Sequence, residues 1–197
     1  MGKLFVISAP SGTGKTTVIK KLLSDVPGLV LSVSSTTRNL RGSERDGSDY
    51  NFITKNEFEK MKGSGELLEW ASVYGEFYGT PKGPVEKLLK EGKNVILDID
   101  VQGARQVKKM FPDTTLIFLL PPSKEELIKR LTGRGTDKKD VLELRIKNAE
   151  KELAEKDFYD HQVVNDNIDN AVEKIAKIIE QRFNQRTNAP THQRTKC

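Results

Sequence analysis

Short apolar runs separated by amphipathic stretches organise most of the chain. Residues 3–8 (KLFVIS) are an apolar, β-prone run, the pattern of a strand buried on both faces. A turn rich in Gly, Ser and Pro follows, and over residues 16–24 the apolar positions Val18, Ile19, Leu22 and Leu23 recur at helical spacing. Strand, tight loop and helix open an α/β unit. The same pattern predicts strands over 30–34, 94–99 (NVILDI), 115–120 (TLIFLL) and 162–164. Helices are predicted over 84–89, 101–110, 141–153 and 171–183, the last with Val172, Ile175, Ile178, Ile179 and Phe183 on one face. Ser123 with Glu126 three residues on reads as a capping box opening a further helix.

The pattern breaks in two places. Residues 35–83 are polar and turn-rich, with β-like pieces at 50–53 and 77–78 and helical spacing at 58–61, which predicts an inserted subdomain. Residues 132–140 (TGRGTDKKD) are polar and contain glycine, as a mobile lid requires. The segment from residue 187 is polar throughout and predicts a disordered tail. Elsewhere strands and helices alternate, so the expected fold class is α/β, a parallel sheet with helices on both faces.

Composition narrows the function. A length of 197 residues suits one domain. The single cysteine, Cys197, excludes an intramolecular disulfide and a cysteine-based metal site. No apolar run approaches the ~20 residues of a membrane span, and the apolar opening to Ile7 is too short for a signal peptide. A cytoplasmic protein with no membrane partner is expected. The net charge of +5 suits a polyanionic ligand, but the lysines and arginines are dispersed, which favours nucleotides over nucleic acid. Oligomeric state leaves no mark in the pattern.

The loop after the first predicted strand carries chemistry. Ala9-Pro10-Ser11-Gly12-Thr13-Gly14-Lys15-Thr16 sits between a strand and a helix, the context of a Walker A phosphate loop. Gly12 and Gly14 let successive N–H groups converge on phosphate oxygens, and the helix N-terminus adds partial positive charge. Lys15 would meet the β- and γ-phosphates of ATP, Thr16 would ligate Mg²⁺, and Thr17 completes the ATP set. Ala9 departs from the strict pattern, which has glycine there. The loop names a superfamily and no reaction. The Asn-Lys-x-Asp stretch of a regulatory GTPase is missing.

The stretch TTRNLRGSERDGSDYNFI, from Thr36 to Ile53, resembles the guanylate kinase signature at Thr36, Thr37, Arg38, Arg41, Glu44, Gly47, Tyr50, Phe52 and Ile53. With the phosphate loop, the LDID segment and the later arginines, the resemblance covers residues 3–183. It implies a P-loop NTPase-type sheet flanked by helices, in a domain spanning 1–186. The core would be 1–33, 84–121 and 154–186, with a GMP-binding insertion at 34–83, a mobile lid at 122–153 and the tail at 187–197. It also implies ATP-dependent phosphorylation of GMP to GDP, and of dGMP likewise, by direct in-line transfer in purine metabolism. Arg38, Arg41, Tyr50 and Tyr78 would hold the GMP phosphate, with Glu44 beside them. Glu69 would read guanine N1–H and N2–H₂, and Ser34 and Thr80 would donate to O6 and N7. The chemistry agrees. Arginine forks match phosphate geometry, and a carboxylate accepts from two neighbouring donors on guanine but faces an acceptor on adenine.

The predicted strand ending Ile96-Leu97-Asp98-Ile99-Asp100 resembles a Walker B element. Asp98 is the expected Mg²⁺ partner and Asp100 is expected nearer the acceptor, a division the spacing leaves open. Arg130, Arg134 and Arg145 flank or lie in the lid, where closure would bring them to the transferring phosphoryl group. Pairing of helix-surface arginines with Glu126 or Asp137 is the alternative. Asn165 resembles the family's adenine-side contact. No general base is needed, because the attacking phosphate oxygen is already ionised, so His161 and His192 have no required role. The competing function is a scaffold-type relative with a degraded ATP site. Gly12, Gly14, Lys15, Thr16 and the lid arginines favour the enzyme, with catalysis assigned to Lys15, Arg38, Arg130, Arg134 and Arg145.

Overall fold

The computed structural model describes residues 1–73, 75–133 and 139–184. In chain order its elements are β1 (Leu4–Ser8), α1 (Lys15–Asp25), β2 (Leu29–Leu31), β3 (Ser35–Thr36), β4 (Asn51–Phe52), α2 (Lys55–Gly63), β5 (Leu67–Val73), β6 (Glu76–Pro81), α3 (Lys82–Lys90), β7 (Asn94–Asp98), α4 (Val101–Met110), β8 (Thr115–Leu120), α5 (Lys124–Thr132), α6 (Lys139–Ala154), a 3-10 turn (Lys156–Phe158), β9 (His161–Val164) and α7 (Ile168–Asn184). The apolar runs pair as one five-stranded parallel sheet, ordered β2-β7-β1-β8-β9.

Both faces of this sheet are covered, which is why its strands read as continuous apolar runs rather than alternating ones. Side chains still alternate between faces. Phe5, Ile7, Ile96, Ile117 and Leu119 pack under α1 and α7 with Val18, Leu22, Ile175 and Ile179. Leu4, Val6, Val95, Leu97 and Phe118 pack on the other side under α3 and α4 with Val85, Leu89, Ala104 and Val107. Truncating a fully buried ring such as Phe118 would cost about 3–5 kcal/mol.

Strands between Ser35 and Pro81 form a second, four-stranded sheet, ordered β4-β3-β6-β5. Two sequence expectations change here. The single strand predicted over 30–34 stops early: β2 ends at Leu31 in the core sheet, and past residues 32–34 the chain joins the second sheet, where Ser35 pairs with Gly79. β5 is not among the predicted strands. Leu67, Leu68, Glu69 and Ala71 are all buried, so no alternation marks it. The expected capping box at α5 is half made: Ser123 accepts from the Glu126 N–H, but the Glu126 carboxylate pairs with Arg130 Nε at 3.1 Å. A full box closes α2 instead, between Thr54 and Glu57. Most of the loop expected to form a lid, including Arg134, and the expected tail lie outside the described residues. Among the described residues no helix is long and apolar enough to cross a membrane.

Candidate active site

β1 and β7 are neighbours in register, with Ile7 opposite Asp98, so the loop after β1 and the acid at the end of β7 arrive at the same sheet edge. Ligand sites in open α/β sheets lie at the carboxyl ends of the strands. Gly12 (φ +89°) and Gly14 (φ +92°) hold left-handed backbone that bends the loop back over α1. Gly14 is the N-cap of α1 and makes no side-chain cap, and no acid stands in the first turn. The positive helix end therefore stays available to an anion.

Lys15 Nζ lies 2.6 Å from Asp98 Oδ1 and donates to the Ile99 carbonyl at 3.2 Å. Burial alone would push the Lys15 ammonium down, but the adjacent Asp98 carboxylate outweighs it and holds the group above its usual range. Lys15 is thus charged at any physiological pH. Beneath the loop, the buried Asn165 donates Nδ2–H to the Thr13 carbonyl at 2.7 Å, and Arg130 Nη1 reaches the same oxygen at 3.4 Å. A Cβ on Gly14 would fall 2.9 Å from Asn165 Nδ2. Asn165 is therefore a buttress of the phosphate loop. Arg130 makes both the Glu126 pairing expected of a helix-surface arginine and the contact to the loop.

Just past β3, Arg38 is buried and meets Glu44 fork to fork, with Nη1–Oε2 and Nη2–Oε1 both at 2.6 Å. The Arg41 N–H also donates to Glu44, at 2.9 Å. The guanidinium carbon of Arg38 sits 5.0 Å from the Tyr50 ring centroid, and the Tyr50 and Tyr78 rings meet edge to face at 6.0 Å. Deeper in, the buried Glu69 accepts from Thr80 Oγ1 at 2.6 Å, and Thr80 lies 3.3 Å from Ser34 Oγ. Burial pushes the Glu69 carboxyl up to about 7, against the hydrogen bond from Thr80, with the Asp100 charge adding to the rise. Asp100 caps α4, its Oδ1 accepting from the Gly103 N–H at 2.9 Å.

One cleft of about 790 Å³ joins these groups, lined by Lys15, Thr16 and Asp98 together with Arg38, Tyr78 and Glu69. Ser34, Arg41, Tyr50 and Asp100 also line it, as do Ala9, Pro10, Ser11 and Thr13 of the loop. A second cavity of about 430 Å³ lies behind the loop, between Thr17, Arg130, Asn165 and Ile168. Thr80 supports Glu69 from behind, and Arg145 on α6 lines neither cavity. No cluster of three metal-ligating side chains exists among the described residues. Mg²⁺ that arrives on nucleotide phosphates needs only one or two protein oxygens, and the Thr16 hydroxyl and Asp98 carboxylate, on one cleft, fit that demand.

Two contributors have little sequence signal. Gln106 on α4 clamps the main chain at Trp70, accepting from its N–H at 3.2 Å and donating to its carbonyl at 2.7 Å, which ties the strand carrying Glu69 to the core. Glu152 on α6 accepts from the Ser11 N–H at 3.4 Å, and burial raises its carboxyl. Glu152 stands among Glu150 and Glu155, so nothing in the local pattern distinguishes it.

The comparison with known proteins agrees with this geometry. A family model described as guanylate kinase matches residues 1–182. The chain is 47% identical to a guanylate kinase of Corynebacterium jeikeium over 180 residues, covering 90% of this chain and 96% of that one. It is 51% identical to a guanylate kinase of Clostridium perfringens (strain SM101 / Type A) over 178 residues, with 90% and 82% covered. Its fold is similar to a crystal structure of guanylate kinase from Anaplasma phagocytophilum, with a TM-score of 0.78 at 35% identity, covering 92% of this chain and 86% of that one.

Proposed function

The chain belongs to the guanylate kinase family and is a kinase of GMP, and we propose that its cleft transfers the γ-phosphoryl group of ATP directly, in line, to the GMP phosphate. The carrying observation is that Lys15, paired with Asp98, and Glu69, bonded by Thr80, line one cleft. A phosphate oxygen of GMP attacks the γ-phosphorus, the bond to the β-phosphate oxygen breaks, and ADP leaves with that electron pair. No general base is required, since the attacking oxygen is an anion. The work is alignment and charge neutralisation.

In this reading the N–H groups from Ser11 to Thr16 and the Lys15 ammonium hold the ATP phosphates. Thr16 and Asp98 would hold the Mg²⁺ carried on ATP, which would further neutralise phosphate charge. Arg38, Arg41, Tyr50 and Tyr78 hold the GMP phosphate, with Glu44 orienting Arg38. Glu69 accepts guanine N1–H and N2–H₂, with Ser34 and Thr80 at O6 and N7 and Asp100 at the rim. Arg130, Arg134 and Arg145 approach the γ-phosphate when the lid of 122–153 closes over the core, excluding water. The insertion of 34–83 is the GMP-binding unit, and the cytoplasm is the compartment of the reaction. In the same reading dGMP is a second acceptor.

The test is ADP release from ATP-Mg²⁺ with each of GMP, AMP, CMP and UMP. Release with GMP far ahead of the other three is expected. AMP outpacing GMP would overturn the guanine assignment, and no release with any of them would favour a scaffold-type domain.

A further inference from the structure

We propose that Gly103 is a positioning residue for guanine selectivity: its bare Cα leaves the space in which the Glu69 carboxylate lies. The proposal rests on the reading of Glu69 as the acceptor of the guanine N–H groups.

Gly103 lies within the first turn of α4, three residues after the Asp100 cap, and is not among the glycines with positive φ. Its backbone conformation is open to any residue, and glycine inside a helix is less favourable than alanine. Local structure therefore gives no reason for glycine here. The surroundings do. A Cβ at 103 would fall 2.2 Å from Glu69 Oε2, 2.9 Å from Cδ and 3.3 Å from Cγ. The helix turn and the carboxylate occupy adjoining space that a single methyl group would fill.

The kind of contact decides what a substitution would do. At Gly79 a Cβ would meet the Glu69 carbonyl oxygen at 2.9 Å and Phe58 Cζ at 3.1 Å, so a side chain there strikes a main chain and a buried ring. At Gly103 the three nearest atoms all belong to the Glu69 side chain, the closest at its far end. Strand β5 cannot retreat, because Gln106 holds the Trp70 main chain from α4 on both its N–H and its carbonyl. The room left is the cleft that Glu69 already lines. An alanine at 103 would thus turn the carboxylate away from Thr80 Oγ1, now 2.6 Å distant, and into the volume meant for the base. The fold would survive while the paired acceptor for N1–H and N2–H₂ is lost.

The experiment compares wild type, Gly103→Ala and Glu69→Gln with GMP and with inosine monophosphate, which keeps N1–H but lacks the N2 amine. For Gly103→Ala the expected results are a GMP KM raised about tenfold or more and a GMP-over-IMP preference in kcat/KM reduced by a similar factor. The ATP KM should be unchanged and the Tm no lower than wild type. A wild-type KM and preference would overturn the proposal. So would a fall in Tm with ATP and GMP KM rising together, the mark of a purely structural role. Glu69→Gln separates the two claims. If it keeps the wild-type preference, the reading of Glu69 fails and the proposal with it. If it loses the preference while Gly103→Ala keeps it, only Gly103 is overturned.

Discussion

Arg38 and Glu44 close on each other as two parallel hydrogen bonds of 2.6 Å, with Arg38 only 8% exposed at its side chain. The carboxylate fixes the plane of the guanidinium, whose Nη1 also donates to the Asn39 carbonyl at 2.9 Å. Glu44→Ala is expected to lower stability by about 1–3 kcal/mol, since it leaves buried guanidinium N–H groups without their acceptor, and denaturant unfolding measures it. Arg38→Lys should raise the GMP KM about tenfold and leave the ATP KM alone, because an ammonium cannot reproduce the planar fork. Equal effects on both substrates would contradict a role confined to the acceptor.

Lys15 is held at the mouth of the phosphate loop by Asp98 and the Ile99 carbonyl. Lys15→Ala should reduce kcat by roughly 10²–10³, the scale of removing one charge-stabilising donor from a reacting centre. Circular dichroism should show an unchanged fold. A kcat within a few-fold of wild type would remove Lys15 from the transfer step.

Glu69 supplies a pH dependence with a definite sign. Its carboxyl is pushed up to about 7 by burial, and only the ionised form accepts from both guanine N–H groups. GMP affinity should therefore weaken as pH falls through about 7, beyond the change due to the GMP phosphate itself, and Glu69→Gln should abolish that excess. Stability runs the other way. A raised pKa means the folded state favours the proton, so the contribution is fully present below 4.5 and is lost as pH rises through about 7. The displacement from 4.5 to about 7 corresponds to about 3 kcal/mol at most. Glu69→Gln should melt higher than wild type at pH 8 and no higher at pH 4, and thermal melts at both values check it.

Asn165 holds the Thr13 carbonyl from below. Asn165→Ala removes that buried bond and should cost about 1–2 kcal/mol, with the ATP KM raised several-fold and the GMP KM little changed. If only the GMP KM moved, the buttress role would be wrong.

The phosphate loop was legible because its chemistry is contiguous: strand, glycines, lysine and helix N-terminus lie within a dozen residues. The core strands were legible because burial on both faces leaves unbroken apolar runs, and α4 and β8 were predicted at their observed bounds. β5 escaped for a related reason. Its burial hides the alternation of the second sheet, and a buried acid and a tryptophan interrupt the apolar run. The Arg38–Glu44 pair was visible only as two residues of one motif. Their direct contact depends on the turn at Glu44, where its N–H bonds the Arg41 carbonyl at 3.0 Å.

What the sequence alone determined, then, is everything set by local spacing: the loop that grips a nucleotide phosphate, the runs that become the central sheet, and the residue types of a phosphate acceptor. What the tertiary structure decided is how distant segments meet. Asp98 reaches Lys15 because β7 pairs with β1 in register. Asn165 reaches Thr13 because the chain after β9 passes beneath the loop. Gly103 faces Glu69 because α4 packs on β5. Side-chain type and spacing record what a residue offers to its own turn or strand. Which partner fills the space across a packed interface depends on element packing, and a single bare Cα in a helix shows its purpose only when the carboxylate beside it is seen.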